Sequence, residues 1–215
     1  MLDLGAGGGR LTAELARSAL RVVAVELDPH WVERLQGRWP TVTVVHADAA
    51  SVPLPSEPFR VLANLPFDRT TGILRHLLDD PAVPLLRADV VVEWSVAVKR
   101  ALPWPSTLNG VLWGAWYSSH VGRRLPRTAF APPPRVDAAV LTFERRRRSL
   151  VSERRWEDYR GFVSAGFRRG VRAVAPGRVL RRLGLAGSAA RDLDAHQWAA
   201  LFEEASATTL SNRLE

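Results

Sequence analysis

One short stretch near the start of the chain leaves it few folds. Leu2-Asp3-Leu4 reads as the end of a buried strand, and Gly5-Ala6-Gly7-Gly8-Gly9 reads as the turn that follows it. Leu11 through Leu20 then places Leu11, Leu15 and Ala16 on one face, the spacing of a helix. Val22-Val23-Ala24-Val25 is a second apolar run, and it ends in Glu26. Strand, glycine turn, helix and acid-terminated strand make the opening β-α-β unit of a doubly wound α/β fold. The glycines let backbone approach a ligand, and the acid can accept from both hydroxyls of a ribose. A dinucleotide site would want a third glycine where Arg10 stands, so a pyrophosphate at this helix start is poorly matched.

The α/β alternation continues. Asp28-Pro29 can cap a helix carrying Trp31, Val32, Leu35 and Trp39, and Val42 to Val45 is a third strand, followed by His46-Ala47-Asp48-Ala49. Asp48 can face a ligand or cap the next turn. Phe59 to Ala63 reads as a buried strand that runs into Asn64-Leu65-Pro66-Phe67. An amide, a carbonyl before proline and an aromatic ring arrive there within four residues. The two oxygens can accept from the amino group of a flat heterocycle while the ring stacks on its face. Pro66 fixes its own φ and pushes Leu65 toward an extended conformation, which steadies the carbonyl. Alone, the tetrapeptide is weak evidence, because a strand ending in a proline-containing turn is ordinary.

Thr70 to Leu78 reads as a helix, Ala88 to Trp94 as a fifth strand and Ser95 to Ala101 as a helix broken by Leu102-Pro103-Trp104-Pro105. Leu108 to Ser119 fits strand or helix. Ala138 to Phe143 is the strand expected to close the sheet, and the prolines 132–134 before it make a stiff loop. At Arg145-Arg146-Arg147-Arg148 the pattern changes. Only helical spacing follows, through Trp156, Tyr159, Val163 and Phe167, then Val179, Leu180 and Leu183, then Trp198, Leu201 and Phe202. The expected division is residues 1–150 and a helical domain, 151–215.

The chain has 215 residues, 47% of them hydrophobic, enough for a full core. It has no cysteine, which excludes disulfides, thiolate catalysis and cysteine-held metals and fits a reducing compartment. No apolar run approaches the roughly 20 residues that span a bilayer, and no export signal precedes the first strand. A net charge of +8 and a pI of 11.2 predict a polyanionic partner. Lysine occurs once, at Lys99, so the cations are almost all arginines, which fork onto phosphates and stack on bases. The arginine run can be a solvated surface or a phosphate contact.

Asp3-Leu4-Gly5-Ala6-Gly7-Gly8-Gly9 resembles the first motif of S-adenosylmethionine-dependent methyltransferases. With Arg10-Leu11-Thr12, Glu26, Asp48-Ala49, Asn64-Leu65-Pro66-Phe67 and Phe130-x-Pro132-x-Pro134-x-Val136-Asp137, the order and spacing resemble the rRNA adenine N6-methyltransferases across the whole chain. Val92-Glu93-Trp94-Ser95-Val96-Ala97-Val98-Lys99-Arg100 is similar to the Erm branch, which methylates one adenine in the peptidyl-transferase loop of 23S rRNA. The Gln-Lys-Glu-Val-Ala segment of the small-subunit dimethyltransferases is absent there.

The resemblance implies a Rossmann-like methyltransferase sheet with helices on both faces and a small all-helical C-terminal domain. It implies S-adenosyl-L-methionine as cofactor, held by Gly5, Ala6, Gly7, Glu26, Leu27, Asp48, Ala49 and Asn64, and no metal. Asn64, Leu65, Pro66 and Phe67 would hold the target adenine, with Phe130 on its other face. It also implies naked or precursor 23S rRNA as partner, a cytoplasmic monomer, no membrane, and resistance to macrolides, lincosamides and streptogramin B. Methylation of another adenine, in small-subunit rRNA or DNA, and a silent RNA-binding protein are the competing readings. Family members carry a Gln-x-Phe-Leu segment before the glycine loop, whereas this sequence opens at Met1 within the first strand. Either the natural start lies upstream, or one wall of the cofactor pocket is missing and binding is weakened.

Overall fold

The computed structural model describes residues 1–211, with side chains through residue 208. Strands β1 (Leu2–Leu4), β2 (Val22–Glu26), β3 (Val42–His46), β4 (Phe59–Asn64), β5 (Leu85–Glu93), β6 (Tyr117–Leu125) and β7 (Ala138–Arg145) form one sheet in the order β3-β2-β1-β4-β5-β7-β6. The first five are parallel, and β7 runs antiparallel to β5. Chain order runs outward from β1 to β3 on one side and from β4 to β5 on the other. The gap between β1 and β4 is therefore the topological switch point, where doubly wound sheets bind ligands beyond their strand C-termini.

Helices α1 (Arg10–Ser18), α2 (Pro29–Leu35) and α3 (Thr70–Leu78) are the crossovers of the parallel strands. Right-handed crossovers running in opposite directions put α1 and α2 on one face of the sheet and α3 on the other. Asp28 caps α2, its side chain accepting from His30 N–H at 2.9 Å, with Pro29 in the first turn. β1 is buried throughout, and in β4 burial alternates along the strand (Phe59, Val61 and Ala63 inward), an unusually clean period for a parallel strand.

Helices α4 (Trp94–Ala101), α5 (Leu108–Gly114), α6 (Trp156–Arg169), α7 (Gly177–Arg182) and α8 (Ala195–Ser211) complete the described chain. The ambiguous Leu108–Ser119 stretch is both helix and strand: α5, then the start of β6. Ala138 to Phe143 does not close the sheet as expected. β7 lies between β5 and β6, and β6 is the edge strand. Its exposed Arg123 and Arg124 hide the alternation that would have marked it as a strand.

Cα packing divides the chain otherwise than at 1–150 and 151–215. One unit is Met1–Ala97 with Ser119–Arg145, and the other is Val98–Ser118 with Arg146–Glu215. The physical reason is a shared aromatic core in the second unit. Trp113, Tyr159 and Trp198 are each at most 1% exposed. Trp116 meets Trp156 edge-on at 5.1 Å, and Tyr159 meets Phe202 at 5.3 Å. Gly114 packs directly on Ala195, and its carbonyl accepts from Arg146 Nε at 2.9 Å. The arginine run is thus partly structural. Arg145 donates to the Val83 and Pro81 carbonyls within the first unit, while Arg147 and Arg148 are exposed. Among the described residues no helix is long and apolar enough to cross a membrane.

Candidate active site

The site forms where β1, β2 and β4 end. Gly5 has φ 72°, a conformation that favours glycine, and a Cβ there would lie 3.2 Å from Pro66 Cδ. This close approach brings the glycine turn against the Asn-Leu-Pro-Phe segment. Gly5 and Ala6 N–H both bond the Val25 carbonyl, at 2.9 and 3.0 Å, tying the turn to the end of β2. Glu26 completes the tie. Its Oε2 accepts from Gly7 N–H at 2.7 Å, and its Oε1 from Leu27 and Asp28 N–H at 2.8 and 2.9 Å.

Two cavities open on this edge. The smaller, about 320 Å3, is lined by Gly5, Gly7, Glu26, Leu27, Asp48, Ala49 and Pro66, together with Trp31, Arg69 and Ile73. The larger, about 760 Å3, is lined by Asp3, Gly5, Ala6, Gly7, Asn64 and Phe130, with Trp31 and the arginines Arg10, Arg34 and Arg38. Gly5, Gly7 and Trp31 belong to both, so the cavities meet along the glycine turn. Ala6 and Asn64, expected at the cofactor, lie on the larger one. Leu65 is buried at 2% exposure and Phe67 is half-buried, and neither lines either cavity.

Asn64 is exposed at the end of β4, and Leu65 N–H bonds the Val91 carbonyl at 3.1 Å, which fixes the strand end. The Pro66 carbonyl is occupied by Arg69 N–H and Thr70 Oγ1, both at 3.0 Å. The Asn64 amide and the Leu65 carbonyl have no hydrogen-bond partner among the described residues. They are the acceptors left over at this strand end.

Phe130 is presented by a loop that Asp137 holds. The Asp137 carboxylate accepts from Arg127 N–H and Arg124 Nε, each at 3.0 Å, and its carbonyl accepts from Trp94 N–H at 2.9 Å. The Arg127 N–H first, and Arg124 with it, hold this carboxyl below the usual range. Arg124 also lies 4.9 Å over the Trp94 ring. The aspartate of the Phe-x-Pro motif is thus an anchor for the loop.

Asp48 accepts from Ala50 N–H at 2.9 Å and pairs with Arg69. The Ala50 N–H leads, with Arg69, in lowering its carboxyl below the ordinary value, so Asp48 is an anion in the smaller cavity. Sequence reasoning missed Arg69 as well as Trp31, which stands at the wall shared by the cavities. Its position five residues after the acid ending β2, in the first turn of α2, was the available signal.

Residues 1–180 match the family model described as ribosomal RNA adenine dimethylase. The chain belongs to the ribosomal RNA adenine dimethylase family. Among its relatives, the mycinamicin-resistance protein MyrB of Micromonospora griseorubida is 37% identical over 94% of this chain and 68% of its own length. An rRNA adenine N-6-methyltransferase of Corynebacterium diphtheriae is 33% identical over 86% of this chain and 72% of its own. Another, from Bacillus licheniformis, is matched over 58% of its length. The crystal structure of the 23S rRNA methyltransferase ErmE superposes with a TM-score of 0.81 at 27% identity, covering 95% of this chain and 90% of that one. A dimethyladenosine transferase from Plasmodium falciparum shares the fold, with a TM-score of 0.76 at 17% identity.

As a member of the ribosomal RNA adenine dimethylase family, the chain is a methyltransferase with S-adenosylmethionine as its cofactor. The smaller cavity fits that group. The acceptor position left free on the Glu26 carboxylate at the end of β2 suits a ribose hydroxyl, the Asp48 anion suits an amine, and side-chain-free backbone at Gly5 and Gly7 leaves the edge between the cavities open.

Proposed function

We propose that this protein methylates N6 of an adenine in the peptidyl-transferase loop of 23S rRNA and so confers macrolide, lincosamide and streptogramin B resistance. The observation that carries the reading is the pair of unpartnered acceptors, the Asn64 amide oxygen and the Leu65 carbonyl, beside the cavity that the glycine turn shares with Glu26 and Asp48. Glu26 would take a ribose hydroxyl of the cofactor at the acceptor position that its three backbone bonds leave free, and Asp48 its adenine amino group. The bound cofactor supplies an electrophilic sulfonium methyl.

The protein's part is to hold the target amine. Asn64 and the Leu65 carbonyl accept its two N–H bonds and turn the nitrogen lone pair toward the methyl donor. Nitrogen becomes positive as the methyl arrives, so acceptors aimed at it stabilise the transition state more than the ground state. No side-chain base is needed, because the proton is acidic once the nitrogen carries the new methyl and a positive charge, and it leaves afterwards. Phe130 would stack on the flipped base, with Phe67 placed by the same tetrapeptide. Stacking worth about 1–3 kcal/mol per base offsets much of the few kcal/mol that unstacking costs.

The substrate in this reading is naked or precursor 23S rRNA, and the enzyme works as a cytoplasmic monomer. The MyrB and ErmE likenesses and the arginine-rich charge support an rRNA substrate. Primer extension on rRNA from a sensitive host expressing the chain is the test. An arrest at the peptidyl-transferase loop adenine is expected. Soluble protein with no arrest there would refute the reading, and an arrest in small-subunit rRNA instead would reassign the substrate.

A further inference from the structure

The unit built from residues 98–118 and 146 onward has a concavity that the methyl transfer does not use. It has a volume of about 540 Å3 and is lined by Phe167 and by the turns that carry Arg169, Arg172 and Arg191. Its walls are fixed. Phe167, half-buried, stacks on Trp198 with centroids 5.6 Å apart and planes at 20°. The opposite turn is pinned by four bonds to its carbonyls: Trp198 Nε1 and Ser106 Oγ to Ala190 at 3.2 and 3.3 Å, Ser106 N–H to Arg191 at 2.9 Å and Trp104 Nε1 to Asp192 at 2.9 Å. Gly170 at φ 88° and Gly187 at φ 90° shape the two turns, and a Cβ on either would meet no atom within 4 Å, so the backbone there is open to a ligand.

Arg169, Arg172 and Arg191 are exposed, and none has a carboxylate partner among the described residues. The neighbouring Asp192 turns one carboxylate oxygen to Ala189 N–H at 2.7 Å and pairs with none of the three among the described residues. An aromatic wall beside three unneutralised guanidiniums on rigid turns matches single-stranded nucleic acid. Its bases stack on aromatics and its phosphates need cations. An apolar ligand would leave the guanidiniums unused.

We propose that this pocket is a second RNA site, holding an unpaired nucleotide of the substrate RNA other than the target adenine. It rests on the reading of the chain as an RNA-modifying enzyme. The test is the variant R169A/R172A/R191A against a control, R17A/R21A/R75A, that removes the same charge from exposed positions of the other unit. Binding to a fluorescent hairpin carrying the peptidyl-transferase loop is measured by anisotropy over a salt series. The pocket variant should bind about 10–100-fold more weakly and lower the log–log salt slope by about 2, at roughly 0.7–0.9 for each phosphate no longer neutralised. Its KM for RNA should rise while kcat and the S-adenosylmethionine Kd stay unchanged. Unchanged RNA affinity, or an equal loss in the control, overturns the proposal. If the pocket variant alone loses RNA affinity but the wild-type chain methylates no rRNA, the second site stands and the enzymatic reading falls.

Discussion

Asp3 is a buried carboxyl at the floor of the larger cavity, and removing its charge should stabilise the protein in a pH-dependent way. The residue is 1% exposed and accepts one hydrogen bond, from Thr12 Oγ1 at 2.7 Å. Burial lifts its pKa from 3.8 to about 6, against the Thr12 bond and with help from the Glu26 charge. Because the folded value lies above the unfolded one, the native state binds more protons between them, and stability falls as pH rises from about 4 through about 6. Above that window the full cost is present, and the gap from 3.8 to about 6 corresponds to about 3 kcal/mol. Asp3→Asn keeps an oxygen for Thr12 and removes the charge, while its amide hydrogens must find water in the cavity. Allowing about 1–2 kcal/mol for that, the variant should gain about 1–2 kcal/mol at pH 8. For a chain of this size that is a rise in Tm of about 2–8 °C. Thermal unfolding by circular dichroism at pH 8 and below pH 4 measures it, and the offset should reverse at the lower pH, where wild-type Asp3 is protonated and only the cost of the amide remains. A variant no more stable than wild type at pH 8, or one with the same offset at both, would refute the reasoning.

Asn64→Ala should lower kcat about 100–1000-fold, the cost of one missing transition-state acceptor, with the calorimetric Kd for S-adenosylmethionine nearly unchanged. A comparable loss of cofactor affinity would contradict the role assigned to Asn64. Glu26→Gln should weaken cofactor binding about 10–100-fold, since a hydrogen bond to a charged group is worth about 1.5–3 kcal/mol. Unaltered affinity in the same calorimetry would remove Glu26 from the ribose site.

Much of this was legible in the sequence because the signals were local. An apolar run that ends in a glycine turn, an acid or an asparagine marks a parallel strand and its ligand-facing end together, which is why β1, β2, β4 and α3 lie where they were expected. β6 was not legible, because an edge strand needs no continuous apolar run and this one carries arginines. The division of the chain was read from a change of periodicity at the arginine run. That signal is blind to residues 98–118, whose partners, such as Ala195 against Gly114 and Arg146 on the Gly114 carbonyl, are distant in sequence. The same limit hid Arg69, whose pairing with Asp48 joins residues 21 apart.

Glu26 and Asn64 show two ways of preparing a site. An ionised carboxylate offers about four acceptor positions, and three of Glu26's are filled by the N–H groups of Gly7, Leu27 and Asp28. Glu26 is therefore a fold residue first. It clamps the glycine turn to the turn after β2 and is already oriented when a ribose arrives, so little entropy remains to be lost on binding. Asn64 is held only through its backbone, by the β4–β5 ladder and the Leu65–Val91 bond, and its amide is left without a partner. A change at Glu26 spreads through three backbone bonds into the shape of both cavities. A change at Asn64 stays at one atom, where the chemistry is.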